Sequence, residues 1–509
     1  MKSSIANLIW LQSLSNDYKY FKKYLKDPSK IQNRILKKYL QENKNTVYGK
    51  KYSFASINSI SEFQRRLPII SYEDIEGYIK KIAKGEKDIL STYQTLFFEE
   101  TSGTGTDSKI IPYNKLFKKE FNAAISPWVW EIHNQYPKVF MGKSYWSISP
   151  PLKSNWHTEG GIKVGLNDDS EYLNFFGRIL SNKIILKIFN NDKTCSDAED
   201  LYINTLRSMI TEKNLSFISV WSPSFILQMN QILRKNWNII VSKSLNIDVS
   251  SPWSVIFPSL KLISCWMHAS SSQYKEELEH ILGDVLIQPK GLLSTEGIVS
   301  IPFKKDKDPV ISICSHFYEF ECQKTGEIFL SHELIKGNEY EVIISTGNGF
   351  MRYRTNDIII VTGNIDSTPT VIFQGRKNRT SDIVGEKITE ILCNEIINLI
   401  RLELKISGAF FYPSKNLKNR YYYTLVISTR DNSVQKDKIQ KLATDILKKN
   451  PYYSQAISLE QLDKLKVQIV IDDCYKKIIR DYFSKKKIKH GDQKPPTLFL
   501  LNDIKYLKL

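Results

Sequence analysis

The block EYEVIISTGNGFMRYRTNDIIIVTG, residues 339 to 363, carries two strongly apolar, β-branched strands on either side of a glycine-containing turn. A third strand, TVIFQGRKNR, follows at 370 to 379 and ends in a cluster of positive charge. Runs of this kind commit that part of the chain to a sheet. Upstream, KSYWSISP (143 to 150) and LSFISVWSPS (215 to 224) read as strands that stop at Ser-Pro. SSQYKEELEHILGD has helical spacing at Tyr274, Leu278, Ile281 and Leu282, with a stop at Gly283. VLIQPKGLLSTEGIVSIPF (285 to 303) reads as strand, turn, STEG, strand. Residues 1 to about 90 read as helical.

The pattern changes beyond Arg376. It becomes helix, strand, strand, helix, strand, helix, which is enough for a small α+β domain with its own sheet. A chain of 509 residues is too long for one ordinary core. The expectation is an α/β protein: a large N-terminal domain of mixed sheets and helices over 1–375, and a smaller mobile α+β domain over 376–509.

A hydrophobic content of 41% with 12% aromatics excludes a disordered chain. No apolar window is long enough for a membrane span. The N-terminus, MKSSIANLIWLQSLSNDYKYF, reads as an amphipathic helix and not as a signal peptide. Six scattered cysteines without metal-ligand spacing point to reduced thiols and a cytoplasmic protein. The formal charge is +18, and from Arg376 onward 27 Lys+Arg stand against 15 Asp+Glu. That asymmetry raises an anionic partner, nucleic acid included. It is the weaker account: the aromatics of YYYTLV lie in a strand, and no RNA-binding motif is present. Most of these lysines, Lys485, Lys486 and Lys487 at a helix end among them, read as solvated.

The chemistry starts at FFEETSGTGTDSKIIPY, 97 to 113. Glycines at 103 and 105 let the backbone approach a ligand closely. Hydroxyls and backbone N–H groups, Ser102, Gly103 and Thr104 among them, can wrap a phosphate, and Lys109 can add charge. The Walker spacing is absent. In STEG, Ser294, Thr295 and Gly297 surround Glu296, a carboxylate able to hold Mg²⁺ on nucleotide phosphates. Asp357, at the start of an apolar strand, suits the two hydroxyls of a ribose. Asn356 before it fits a left-handed backbone position. Arg376 follows a strand and a glycine. Taken alone, the hydroxyl-rich loop and STEG read better as surface turns, Asp357 reads also as a strand-start turn residue and Arg376 as a solvated charge.

In this order the set resembles the adenylate-forming enzyme superfamily: a phosphate loop at Thr101 to Lys109, a ribose motif at Tyr353 to Asp357, and a Gly-Arg pair at Gly375 and Arg376. It is most similar to the Gretchen Hagen family of acyl acid amido synthetases. TSGTGTDSKIIP, TEGGIKVG, LSTEG, the stretch 349 to 390 and a terminal GDQKPP carry that likeness over nearly the whole chain. Gly105 and Thr106 are exchanged relative to the usual loop, and Asn356 stands where glycine is usual.

The resemblance implies an ATP-dependent acid–amino acid ligase. It would form an acyl-adenylate, release pyrophosphate and pass the acyl group to an amine such as an amino acid. An acyl-CoA ligase type is the alternative within the superfamily. By the same resemblance Glu296 orients Mg²⁺, and Ser102, Gly103, Thr104, Lys109, Ser294, Thr295 and Gly297 line the nucleotide site. Asp357 and Arg376 hold the ribose, and Lys494 reaches the reacting carboxylate and α-phosphate. Tyr172, Trp221 and Phe225 are the aromatic candidates for the acyl pocket, and could equally be core residues.

Overall fold

The computed structural model describes residues 2–507 apart from 102–108, 147–155, 166–174, 189–197, 242–246, 378, 418–419, 430–434, 487 and 489–492. Five helices occupy the first 83 residues: Ser3–Tyr24, Pro28–Asn43, Val47–Lys51, Ile60–Arg66 and Tyr72–Ala83. Their starts are encoded locally. Asp27 accepts from the Lys30 amide with proline at the first helical position, and Ser59 and Thr46 cap the next turns in the same way.

These helices cover a seven-stranded sheet that is antiparallel at every pairing. Its order is Ser300–Ile301, Val310–Ile311, Thr368–Arg376, Tyr353–Ile365, Glu339–Ser345, Phe317–Cys322 and Ile328–Leu330. Trp10, Phe21, Leu36 and Phe63 bury their side chains in one core with Phe317, Phe320 and Ile344 of the sheet. Each such burial contributes about 1.5–3 kcal/mol. Gln32 adds direction. Its amide donates to the Ile313 and His316 carbonyls at 2.8 and 2.7 Å and accepts from the Tyr318 amide at 2.8 Å.

A second sheet is parallel throughout: Lys143–Trp146, Leu215–Ser219, Leu262–Cys265 and Leu286–Pro289, in that order. Parallel neighbours need crossover connections. Helices Ala198–Thr211, Pro223–Lys235 and Lys275–Leu282 lie in these crossovers and build a separate core around Leu206, Met229, Trp253 and Leu278. The last of these helices ends at Gly283, with φ of 62°, as its glycine stop predicts. A small sheet holds Thr95–Glu100 beside Ile110–Asn114, the two strands that bracket the hydroxyl-rich loop.

From residue 388 onward, two further hydrophobic clusters lie on the two faces of a three-stranded sheet, Gly408–Lys415, Tyr421–Ser428 and Lys466–Val470. Helices Glu390–Glu403 and Lys436–Leu447 pack on one face, and Asp472–Lys485 on the other. Helix Pro451–Ser458 and a 3₁₀ turn at Leu501–Tyr506 add to the pattern read from sequence. The α/β class is therefore borne out, with parallel and antiparallel sheets side by side. No described helix is long and apolar enough to cross a membrane.

Candidate active site

The base of the hydroxyl-rich loop is closed by a bond from the Thr101 amide to the Lys109 carbonyl at 2.9 Å. Ser102, Gly103 and Thr104 lie outside the described residues, as does Tyr172. Lys109 sits over the Tyr72 ring at 5.0 Å and 3.5 Å from Glu73, so its ammonium is held at the mouth of the loop. The strand leaving the loop carries Tyr113, whose hydroxyl donates to the Thr295 carbonyl at 2.9 Å. That bond brings the STEG segment against the strand that leaves the loop.

STEG is a tight hairpin, with Ser294 paired to Gly297 and the Ser294 hydroxyl donating to the Gly297 carbonyl at 3.1 Å. A Cβ at Gly297 would lie 3.1 Å from both His316 Nε2 and Ile344 Cδ1, so the hairpin is pressed onto the sheet where only glycine fits without a shift. Glu296 projects from its tip, partly exposed, and its carboxylate makes no hydrogen bond or ion pair among the described residues. It is close enough to Arg376 to favour that residue's charge.

Asp357 lies inside strand Tyr353–Ile365 rather than at its start. The expected left-handed residue is present: Asn356 has φ of 62°. Three residues, Thr355 to Asp357, bulge opposite Val342, and the Thr355 hydroxyl ties the bulge down by donating to the Val342 carbonyl at 3.0 Å. The bulge aims the buried Asp357 carboxylate at Arg376, whose Nε donates to it at 3.2 Å. Asp357 is the main reason the Arg376 guanidinium is held above its usual range. The other arginines of this block are structural. Arg352 pairs with the buried Glu319 through two 3.0 Å bonds, and Arg354 pairs with Glu321 and Glu341.

Lys494 reaches this side of the molecule from the C-terminal part. Its ammonium lies 3.3 Å from the Trp266 ring centroid. The segment around it is anchored on both sides. The Gln493 carbonyl accepts from the Ser222 and Ser224 hydroxyls at 2.8 and 3.1 Å, and the Thr497 amide donates to buried Glu390 at 3.2 Å. The Trp266 and Trp221 rings lie 5.2 Å apart, tilted by 34°, so Trp221 and Lys494 flank one aromatic pair. Phe225 is not brought to it: its ring lies in the core around the parallel sheet, 5.4 Å from Tyr202. Trp266, Glu390 and Lys290 were not singled out in the sequence. The available signal was SCWMHAS, which sets a tryptophan just past a strand end as SVWSPS does.

The described residues hold no cluster of three metal-ligand side chains. A lone, partly exposed carboxylate such as Glu296 still fits Mg²⁺, which commonly takes one or two protein carboxylates and completes its shell with phosphates and water.

The pattern of the GH3 family N-terminal domain matches residues 17–253, and that of the GH3 family central domain matches 310–376. The indole-3-acetic acid-amido synthetase GH3.4 of Arabidopsis thaliana is 22% identical, over 94% of this chain and 91% of its own length. The jasmonoyl–L-amino acid synthetase JAR6 of Nicotiana attenuata is 22% identical over 73% of each chain. Among solved structures, the AtGH3.15 acyl acid amido synthetase in complex with 2,4-DB superposes with a TM-score of 0.81 at 17% identity, covering 97% of this chain and 96% of that one. With the two family patterns together spanning more than half of its length, the chain belongs to the GH3 family, the Gretchen Hagen family that its motifs resemble.

Proposed function

We propose that the protein is an ATP-dependent acyl acid amido synthetase. It joins an acyl acid to AMP with release of pyrophosphate, then passes the acyl group to an amine, an amino acid in the first instance. The observation that carries this reading is the approach of Glu296 to the Asp357–Arg376 pair, beside the closed base of the hydroxyl-rich loop. Asp357 offers a buried carboxylate to a ribose, with Arg376 beside it. Ser102, Gly103, Thr104 and Lys109 would take phosphate oxygens, and Ser294, Thr295 and Gly297 would wall the nucleotide. Glu296 would hold Mg²⁺, which would neutralise phosphate charge.

Lys494 carries the first step. The attacking carboxylate and the α-phosphate are both anions, and a pre-placed ammonium offsets their repulsion where charge develops. AMP is a far better leaving group than hydroxide, so an amine attacks the adenylate readily, provided water is kept out. The division 1–375 and 376–509 serves that end, with the smaller part closing over the larger. The carboxyl-end platform that bears Trp221 would form one wall of the acyl site, with Tyr172 as a further candidate. The five described cysteines are all free, which supports a cytoplasmic setting.

ATP–pyrophosphate exchange against a library of acyl acids, followed by mass spectrometry with mixed amino acids, tests the reading. Exchange with at least one acid and an amide product are expected. ATP binding without exchange for any acid would leave a nucleotide-binding protein without this activity.

A further inference from the structure

The parallel sheet ends in an unusual series. Strand Lys143–Trp146 finishes on Trp146, Trp221 follows Leu215–Ser219, Trp266 follows Leu262–Cys265, and Lys290 follows Leu286–Pro289. Backbone bonds continue the ladder past the strands, from the Trp266 amide to the Trp221 carbonyl and from the Lys290 amide to the Cys265 carbonyl, both at 2.8 Å. Ligands of open parallel sheets bind beyond the carboxyl ends of the strands. Three consecutive strands therefore deliver a tryptophan, a tryptophan and a lysine to one cluster. Lys290 lies 4.5 Å from the Trp221 centroid, the Trp221 and Trp266 rings lie 5.2 Å apart at an interplanar angle of 34°, and Lys494 covers Trp266. Trp128, 5.7 Å from the Lys290 ammonium, adds a further ring.

Lys290 is the anomaly in this series. It is only 4% exposed, yet its ammonium has no hydrogen bond or carboxylate partner among the described residues. Ring faces attract a cation, but more weakly than the water it has lost. Burial accordingly pulls its pKa down to about 7, and the Cys265 thiol is its ionisable neighbour. A lysine kept in this state between flat rings, four residues ahead of Ser294 of STEG, is built for a ligand group that supplies the missing anion.

We infer that Lys290 is a specificity-determining residue that receives a second carboxylate of the acyl substrate, remote from the carboxylate that Lys494 serves, and that the substrate class is a flat, aromatic-bodied diacid. This rests on the activation reading above. The tryptophan faces match the flat body, and the two ammonium groups, on different rings of the Trp221–Trp266 pair, match two separate carboxylates. A monoacid leaves Lys290 unpaired, so it binds without this contribution.

The test compares terephthalate with 4-acetylbenzoate, equal in shape but lacking the second charge, by titration calorimetry with the full-length protein and its Lys290→Met variant. The wild type is expected to bind terephthalate at least tenfold more tightly than the acetyl analogue, and Lys290→Met to bring the two within about threefold, with ATP affinity unchanged. Titrations at pH 8 in buffers of different ionisation enthalpy should show uptake of close to one proton with terephthalate in the wild type. A merely structural lysine would not produce that uptake. Equal affinity for the two acids, selectivity that survives in Lys290→Met, binding without proton uptake, or no terephthalate binding each overturns the proposal. Wild-type selectivity and proton uptake decide the matter even if the variant does not fold. Pyrophosphate exchange separates the two readings: exchange with monoacids and no diacid preference removes Lys290's role alone, whereas diacid selectivity with no exchange for any acid removes the activation chemistry alone.

Discussion

Arg376 Nε donates to Asp357 Oδ1 at 3.2 Å, and the two residues face each other in register across neighbouring antiparallel strands. The aspartate is 3% exposed and the arginine 49%, so the pair has a buried and a solvent-facing end. Its placement depends on the bulge at Asn356, which turns a carboxylate out of an otherwise apolar strand.

On the proposed reading, Asp357 is the nucleotide's anchor. Asp357→Ala should weaken ATP binding by roughly 1.5–3 kcal/mol for each lost charge-assisted hydrogen bond and leave acyl-acid affinity largely intact. Asp357→Asn, which keeps the shape, should fall between. Calorimetry on folded variants checks this; an alanine variant with wild-type ATP affinity would refute the ribose role.

Glu120 is a structural counterpart. It is buried, and its carboxylate accepts from the Tyr39 hydroxyl and the Gly347 amide, both at 2.8 Å, with His316 Nδ1 at 3.2 Å. Glu120→Ala orphans these partners together, so unfolding in urea should show a loss of roughly 2–5 kcal/mol, with a smaller loss for Glu120→Gln. His316 touches Gly297, so the alanine variant should also loosen the STEG hairpin.

Local signals carried much of this fold. The apolar runs became strands, Gly283 stopped its helix, and Asn356 took the left-handed backbone that its motif demands. What was hidden depends on neighbours distant in sequence. Lys290 and Trp221 are 69 positions apart and meet only because two crossovers lay their strands in one parallel sheet. Lys486 read as a solvated helix end, yet it pairs with the buried Asp503, which also takes Arg379. A charge count cannot show which lysine finds such a partner. Phe225 reads the same in a pocket or a core, and the packing of its helix places it in the core.

Lys290 also makes a prediction about stability. Its folded pKa, about 7, lies below the ordinary lysine value of 10.5. Below pH 7 both folded and unfolded states hold the proton. Above it the unfolded chain binds more protons than the folded one, so stability rises with pH, by up to about 1.4 kcal/mol per unit. Wild type minus Lys290→Met should therefore grow more favourable from pH 7 to 8.5 and stay flat from 5.5 to 6.5. The rising range checked lies well inside the span from about 7 to the ordinary lysine value of 10.5 over which the difference grows, and the Cys265 thiol, present in both proteins, cancels from it. Urea unfolding at four pH values checks it, and a pH-independent difference would show that Lys290 is hydrated.

Lys494 separates catalysis from binding. Its segment is held by Ser222 and Ser224 on one side and by Glu390 on the other, so the ammonium is positioned before substrate arrives. On the proposed reading, its charge would act most where carboxylate and α-phosphate meet, and less on ATP in the ground state. Lys494→Ala should lower kcat for pyrophosphate exchange on the order of a hundredfold or more, with little change in ATP affinity. The paired Lys486 is unsuitable as a control, because its loss would strand Asp503. Lys477, exposed on helix Asp472–Lys485, is the better one, and its alanine variant should exchange normally. Ser222→Ala should give a smaller fall in kcat, because Ser224 still holds Gln493. If Lys494→Ala behaves like Lys477→Ala, the ammonium over Trp266 is a packing feature and another group must neutralise the two anions.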